Sequence, residues 1–395
     1  MNDNELRTLV EAQKDWIVNI RRRLHRIPQR GFDLFKTQKV VTDTLDELGI
    51  PYTTERTWVI GLIEGKLPGG VVALRADMDA LPIDEPQGCP FASEHPGMMH
   101  ACGHDAHTAM VLGAAKVLAG MKDQLRGSVK LLFQPAEETD GGAEPMVQAG
   151  AMENPHVDRV YGLHVMPRLP VGTVETRGGT LNASTDTVLI TVNGKAGHGA
   201  YPESSVDAIV CAAQMVTALQ TLVSRNLSPL ASAVLTFGVI EGGTAQNIIC
   251  DKVTLRGTLR TANSEIRAMM KRRIHEVCAG VAAAMGCTAD VEVISGYAAL
   301  VNDEGEAARV ARVGARLFGC EHMLEKKEPS MGGEDFSFFS DCAPGAFFHI
   351  GCSPVDKKDP QPLHSKDFYL DEDCLTIGTL MHVALALDED SPLRH

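Results

Sequence analysis

The stretch VVALRADMDA (Val71–Ala80) opens as an apolar, β-branched run and then breaks into Arg75, Asp77 and Asp79. Such a run predicts a buried strand whose end carries polar side chains. The pattern recurs twice. SVKLLFQPAEE (Ser128–Glu138) predicts a strand over 129–133 that runs into Glu137 and Glu138. RVYGLHV (Arg159–Val165) predicts a short strand ending near His164. Around these strands the apolar spacing predicts helices over 5–26, 38–48 and 105–121; the first stops before Pro28 and the second is closed by Gly49. Strands alternating with helices predict an α/β domain, a mostly parallel sheet with helices on both faces. In open sheets of this kind the carboxyl ends of the strands form the ligand crevice, so donors distant in sequence can meet there.

The character changes near residue 182. Strand 185–193, helix 204–224, strands 232–240 and 250–260, helix 264–284 and strand 288–295 follow one another. This βαββαβ order predicts a ferredoxin-like α+β domain. After YAALVND (297–303) the chain returns to a long helix, 305–318, then to Gly-rich loops, PLHSKDF (362–368) and a helix over 373–387. The expected organisation is one discontinuous domain, 1–181 with 299–395, carrying an inserted domain, 182–298.

The bulk numbers narrow the field. At 395 residues the chain is too long for one ordinary domain, and 44% hydrophobic with 22% charged residues suits a globular protein. Aromatics are only 5%, so the core must rest on Ala, Val, Leu, Ile and Met. A net charge of −14 argues against nucleic acid and anionic membranes as partners. The one basic cluster, Arg21–Arg23, falls in an amphipathic pattern and is expected on a solvated helix face. The N-terminal residues lack the apolar core of a signal peptide, and no apolar run reaches the length of a membrane span. Ten cysteines without a Cys-x-x-Cys pair fit a reducing, cytoplasmic setting.

The chemistry concentrates in MMHACGHDAHTAM (Met98–Met110). Cys102 and His104, two apart in a turning loop, can reach one ion, and thiolate with imidazole suits zinc, manganese, cobalt or nickel. His100, His107 and Asp105 add to the case, because ligating histidines need carboxylate partners. By itself the pair fits a buried thiol near satisfied histidines better than a ligand pair. Glu137 and Glu138 cannot face one target in the same way; one could ligate while its neighbour accepts a proton. Taken alone they are an ordinary solvated turn. His164 and His364 lie at a strand end and in a Pro-flanked loop. A cysteine hydrolase with Cys102 as nucleophile and His104 or His107 as base is a rival, though Cys-His at i, i+2 is poor geometry for it. A non-catalytic metal-binding protein is another; it would need closed coordination with no base beside it.

Ten segments then occur in a recognisable order: LHRIP (24–28), RADMDALP (75–82), MHACGHDAH (99–107), FQPAEE (133–138), GLH (162–164), GHGAYP (197–202), GGTAQN (242–247), RGTLRT (256–261), GGEDF (332–336) and PLHSKDF (362–368). Together they resemble the aminoacylase-like metallopeptidases. The likeness is closest to their amidohydrolase branch of hippurate hydrolases, N-acyl-amino-acid amidohydrolases and auxin-conjugate hydrolases. The resemblance implies two divalent ions (Zn, Mn, Co or Ni) held by Cys102, His104, Glu138, His164 and His364, with Cys102 bridging as thiolate. It implies Glu137 as general base toward a metal-activated water, and Asp105 as a supporting carboxylate. The inserted domain would be the family's lid and dimerisation domain, with a hinge near Gly178–Gly179. His198, Asn247 and Arg260 would hold the substrate, and in some relatives the lid histidine reaches a neighbouring subunit. The implied activity is cleavage of N-acetyl, N-benzoyl or similar amino acids by a homodimer or higher oligomer, with a dipeptidase or carboxypeptidase as the alternative on the same fold. One departure stands out: Gln29 occupies the position after LHRIP where the family usually has glutamate.

Overall fold

A computed structural model describes residues 2–86, 88–355 and 359–388. The chain divides into two compact units. One runs to Gly179, takes up Val301–Lys327 and resumes at Asp335; the other is Thr180–Leu300 with Glu328–Glu334. The return of 328–334 to the second unit rests on backbone pairing, Ser330 N to Leu181 O and Ala183 N to Ser330 O. A loop held by distant backbone groups leaves no periodicity, so the sequence boundaries of 182 and 298 do not contain it.

The first unit is built on an eight-stranded sheet. Its order is Tyr52–Glu55, Trp58–Glu64, Arg126–Gln134, Leu67–Asp77, Arg159–Pro170, Gly345–Ser353, Val174–Thr176 and Met323–Glu325. The central four strands pair in parallel, and antiparallel pairs flank them on either side. Gly345–Ser353 is buried at every residue, as a strand covered on both faces must be. Successive side chains show the two faces. Phe348 packs edge-on to His382 of the helix Cys374–Leu387, while Phe347 packs on Phe336, beside the short helix Ser337–Ser340. The long helix His104–Ala119 packs against the central strand, Leu67–Asp77, and against Cys374–Leu387. It is buried on nearly all sides, which its small residues permit.

Several elements differ from the sequence reading. The expected helix 5–26 is two helices, Asp3–Glu11 and Lys14–His25. The hairpin Tyr52–Glu55/Trp58–Glu64 and the strand Gly345–Ser353 were not expected as strands. The strand carrying His164 does not end there but continues to Pro170, although its last rung with the central strand is Gly162 against Arg75. His164 thus lies two residues beyond that rung.

The second unit is a four-stranded antiparallel sheet in the order Ala233–Gly242, Lys252–Thr261, Ser184–Asn193, Thr288–Ser295. With the helices Ala208–Asn226 and Ser264–Ala284 this is the ferredoxin-like arrangement. Val188, Ile190 and Val192 point from one strand into a core shared with both helices. Ala208–Asn226 corrects the expectation that no segment is of membrane-span length: by length and composition alone it is long and apolar enough, with 19 residues and a mean hydropathy of 1.3. It buries Cys211, Ala212, Met215, Leu219 and Leu222 in its own unit's core and exposes the opposite face.

Candidate metal centre

The site forms where four chain segments meet near the carboxyl edge of the first unit's sheet. Cys102 precedes the helix His104–Ala119, and Gly103 between them has φ 84°. A side chain there would meet Val165 Cγ2 at 2.4 Å, so only glycine fits the turn. Glu137 and Glu138 follow Ala136, which is held at φ 62°. Their backbone N–H groups both donate to Asp79, at 3.1 Å each. His364, also at positive φ (61°), is tied by its N–H to Ala101 O at 2.9 Å. Left-handed backbone at two non-glycine residues of one site is strain that the surrounding contacts must hold in place.

The side chains converge on Cys102. Its Sγ lies 3.4 Å from His164 Nε2 and 3.3 Å from His364 Nε2. His364 Nε2 is 2.9 Å from Glu138 Oε1, which is 4.0 Å from His104 Nε2. Two donor triads, Cys102/His104/His164 and Cys102/Glu138/His364, share the cysteine, and Glu137 lies in a third with His104 and Glu138. Within each triad the donor atoms lie within 4.8 Å of one another. The structure therefore brings Cys102, His104, Glu138, His164, His364 and Glu137 together.

The donors fit divalent ions. Both ring nitrogens of His104 are buried and neither makes a hydrogen bond, a costly state that a cation relieves. His164 Nδ1 donates to Val165 O at 2.7 Å, which leaves its Nε2 lone pair facing the thiol. Burial pushes the Cys102 thiol well up, and Glu138 and Glu137 push it the same way. Such a thiol is no nucleophile near neutral pH, which counts against the cysteine-hydrolase reading. Burial pulls His104 down, but Asp77, Asp79 and Glu138 outweigh it and raise it to about 10. The negative field that charges this imidazole also attracts cations. One side of the cluster is open, since the His364 side chain is 51% exposed.

Asp105 corrects the sequence expectation. It does not turn toward the ligand histidines; its Oδ2 lies 2.7 Å from both Arg21 Nε and His25 Nδ1. Arg21 is therefore buried, not solvated, and stacks over Phe91. The supporting carboxylates are instead Asp77 and Asp79, which sequence reading placed at a strand end without a role. Asp77 Oδ1 lies 2.6 Å from His107 Nδ1, and Asp79 Oδ1 lies 3.4 Å from His104 Nδ1. The signal was present in RADMDALP, as polar residues directly after an apolar strand.

His198, Asn247 and Arg260 belong to the second unit. His198 pairs with Ile248 in a short two-stranded ladder, and Gly199 N donates to Asn247 O, so His198 and Asn247 are neighbours. Arg260 lies near the far end of Lys252–Thr261, roughly 26 Å of strand from Lys252. Arg260 donates to Thr258 Oγ1 and Leu259 O, whereas His198 and Asn247 adjoin.

The fold and the donor cluster are those of a hydrolase. The model of peptidase family M20/M25/M40 matches residues 73–388. Thermostable carboxypeptidase 2 of Saccharolobus solfataricus is 38% identical over 389 residues, 97% of this chain and 98% of that one. N-acetyl-L-cysteine deacetylase of Bacillus subtilis is 42% identical over 337 residues, covering 85% and 80%. A Bacillus subtilis crystal structure described as a dinuclear metal binding peptidase superposes with TM-score 0.84 at 34% identity, covering 95% and 98%. The chain belongs to peptidase family M20/M25/M40.

Proposed function

We propose that the protein is a metal-dependent amidohydrolase that cleaves the amide bond between an acyl group and an amino acid bearing a free carboxylate. The observation that carries this is the convergence of Cys102, His104, Glu138, His164 and His364 from separate segments, with buried donor atoms left without hydrogen bonds and a second carboxylate, Glu137, alongside. Cys102, His104, Glu138, His164 and His364 would hold the ions, with Cys102 as the donor common to both triads. When bound, the ions supply Lewis acidity and lower the pKa of water. Glu137 takes the proton of the attacking water on its carboxylate and delivers it to the leaving amine nitrogen. The negative surroundings stabilise the ligand set only with cations in place.

The deacetylase relative supports an N-acyl amino acid as substrate; the carboxypeptidase relative supports a peptide. The two share the scissile group, an amide to an amino acid with a free carboxylate, and differ only in the acyl side. The second unit serves as the lid, moving about Gly179, which has φ 70° at the unit boundary. His198 and Asn247 are neighbours at a loop ladder while Arg260 sits near the other end of Lys252–Thr261, an arrangement that suits a homodimer sharing sites. The cysteines described are all free, as in a reducing cytoplasm.

The test is hydrolysis of N-acetyl and N-benzoyl amino acids against N-blocked dipeptides, with Zn²⁺, Mn²⁺, Co²⁺ or Ni²⁺ and with chelator. Metal-dependent release of free amino acid from the N-acyl series is expected. Activity that survives complete chelation refutes the metal mechanism, and preference for dipeptides selects the carboxypeptidase reading.

A further inference from the structure

His107 stands between two histidines of the proposed centre, yet both its ring nitrogens are already committed. We propose that His107 is the positioning residue of the centre, the last side chain of a buried line Asp335–Arg75–Asp77–His107 that fixes His164; the proposal rests on the metal reading above.

The hydrogen-bond roles follow from chemistry. Val165 N–H can only donate, so His107 Nε2, 2.9 Å away, accepts with its lone pair. The ring proton is therefore on Nδ1, where it is donated to Asp77 Oδ1 at 2.6 Å. Although Asp77, His104 and His107 lie within ligand range of one another, His107 has no lone pair left for an ion. What it does instead is wedge. Its ring centroid is 5.4 Å from that of His104, one turn back on the same helix face, and 4.6 Å from that of His164. Val165 follows His164 directly. Its N–H is held by His107 and its C=O accepts from His164 Nδ1. Holding the backbone on both sides of Val165 aims His164 Nε2 at Cys102.

The line behind His107 is equally fixed. Arg75 donates to Asp77 Oδ2 at 2.6 Å, to Asp335 Oδ1 at 2.9 Å and to Gln134 Oε1 at 2.8 Å. Gln134 Nε2 donates in turn to both oxygens of Asp335. Thr108 Oγ1 donates to Asp77 O at 2.9 Å. The side chains of Arg75, Asp77 and Asp335 are fully buried, so each charge depends on its partners and none can swing to solvent. GGEDF, more than 250 residues from RADMDALP in the chain, acquires a purpose here: its Asp335 anchors the arginine that holds Asp77.

The test uses the full chain, stripped with chelator and titrated with Co²⁺. Bound ions are counted, affinity is read by competition with a chromophoric chelator, and the thiolate-to-cobalt absorption band reports Cys102. His107→Phe fills the ring's volume but makes neither bond. His107→Gln can donate to Asp77 and accept from Val165 through one amide. The Phe variant is expected to keep a native circular dichroism spectrum, lose about 10–100-fold in cobalt affinity and shift the band, while Gln restores most of both. A folded Phe variant with wild-type affinity and band overturns the proposal. Should that variant not fold, Asp335→Asn decides. Weakened cobalt binding in a native fold supports the line, and unchanged binding overturns it. Wild-type protein that binds no cobalt overturns the metal reading itself, an outcome distinct from two bound ions unaffected by the substitutions.

Discussion

At the scale of single residues, the site is governed by where protons and charges can rest. Cys102 is a thiol pushed far up by burial beside Glu138 and Glu137, so it becomes a thiolate only with a cation at hand. Alkylation mapped by mass spectrometry should therefore spare Cys102 in metal-loaded protein at neutral pH; rapid modification there, with loss of activity and intact metal, would point back to a nucleophile. Glu137→Gln should lower kcat by about 10²–10⁴ while the ions remain bound. Full activity in that variant removes Glu137 from its role. Asp105 teaches the complementary lesson. Lying next to His104 in sequence made it the natural supporting carboxylate, but successive residues of a helix point about 100° apart. Asp105 consequently meets Arg21 and His25, while Asp77, at the end of the strand Leu67–Asp77, and Asp79 just beyond it face the histidines.

At the scale of elements, the departure at Gln29 finds its reason in a helix end. Gln29 Oε1 accepts from Lys36 N at 2.7 Å and Thr37 N at 3.1 Å, capping Phe35–Glu47, whose own N-cap residue Leu34 makes no side-chain bond. Glutamate could accept the same two bonds, so the change is one of charge at a helix N-terminus. Gln29→Ala should cost about 1 kcal/mol in urea unfolding, and Gln29→Glu should cost nothing. If Ala proves neutral, the cap carries no weight. Gly103→Ala should be far worse, because its Cβ would displace Val165 next to His164; unfolding and metal titration should both register it. Sequence reading found the one-sided helices and strands and the apolar runs 71–74 and 129–133. Gly345–Ser353 was missed because a strand covered on both faces has no alternation to read, and the glycines around its apolar run read as part of the Gly-rich loops.

At the scale of the whole molecule, acid stability carries the mark of buried histidine. His382 is 0% exposed, neither of its ring nitrogens has a hydrogen-bond partner, and burial lowers it to about 3. The unfolded chain therefore takes up a proton at this residue below about 6.5 while the folded chain stays neutral. Its contribution is fully present above that pH and is lost as pH falls toward 3. His382→Leu should flatten the fall in unfolding free energy, read from urea titrations, between pH 6.5 and 4.5, by up to about 1.4 kcal/mol per pH unit. Parallel profiles for wild type and variant would refute it. Glu175, held down to about 2 against burial by His349 and Arg168, adds loss of the same sign at lower pH.

By itself the sequence determined the α/β and ferredoxin-like pattern, the donor residues and their family, because periodicity and short motifs are local properties of a chain. Which carboxylate supports which histidine, that His107 is spent on hydrogen bonds, and that 328–334 rejoins the second unit were decided only in three dimensions. Those choices depend on distances between atoms far apart in sequence, which no local pattern encodes.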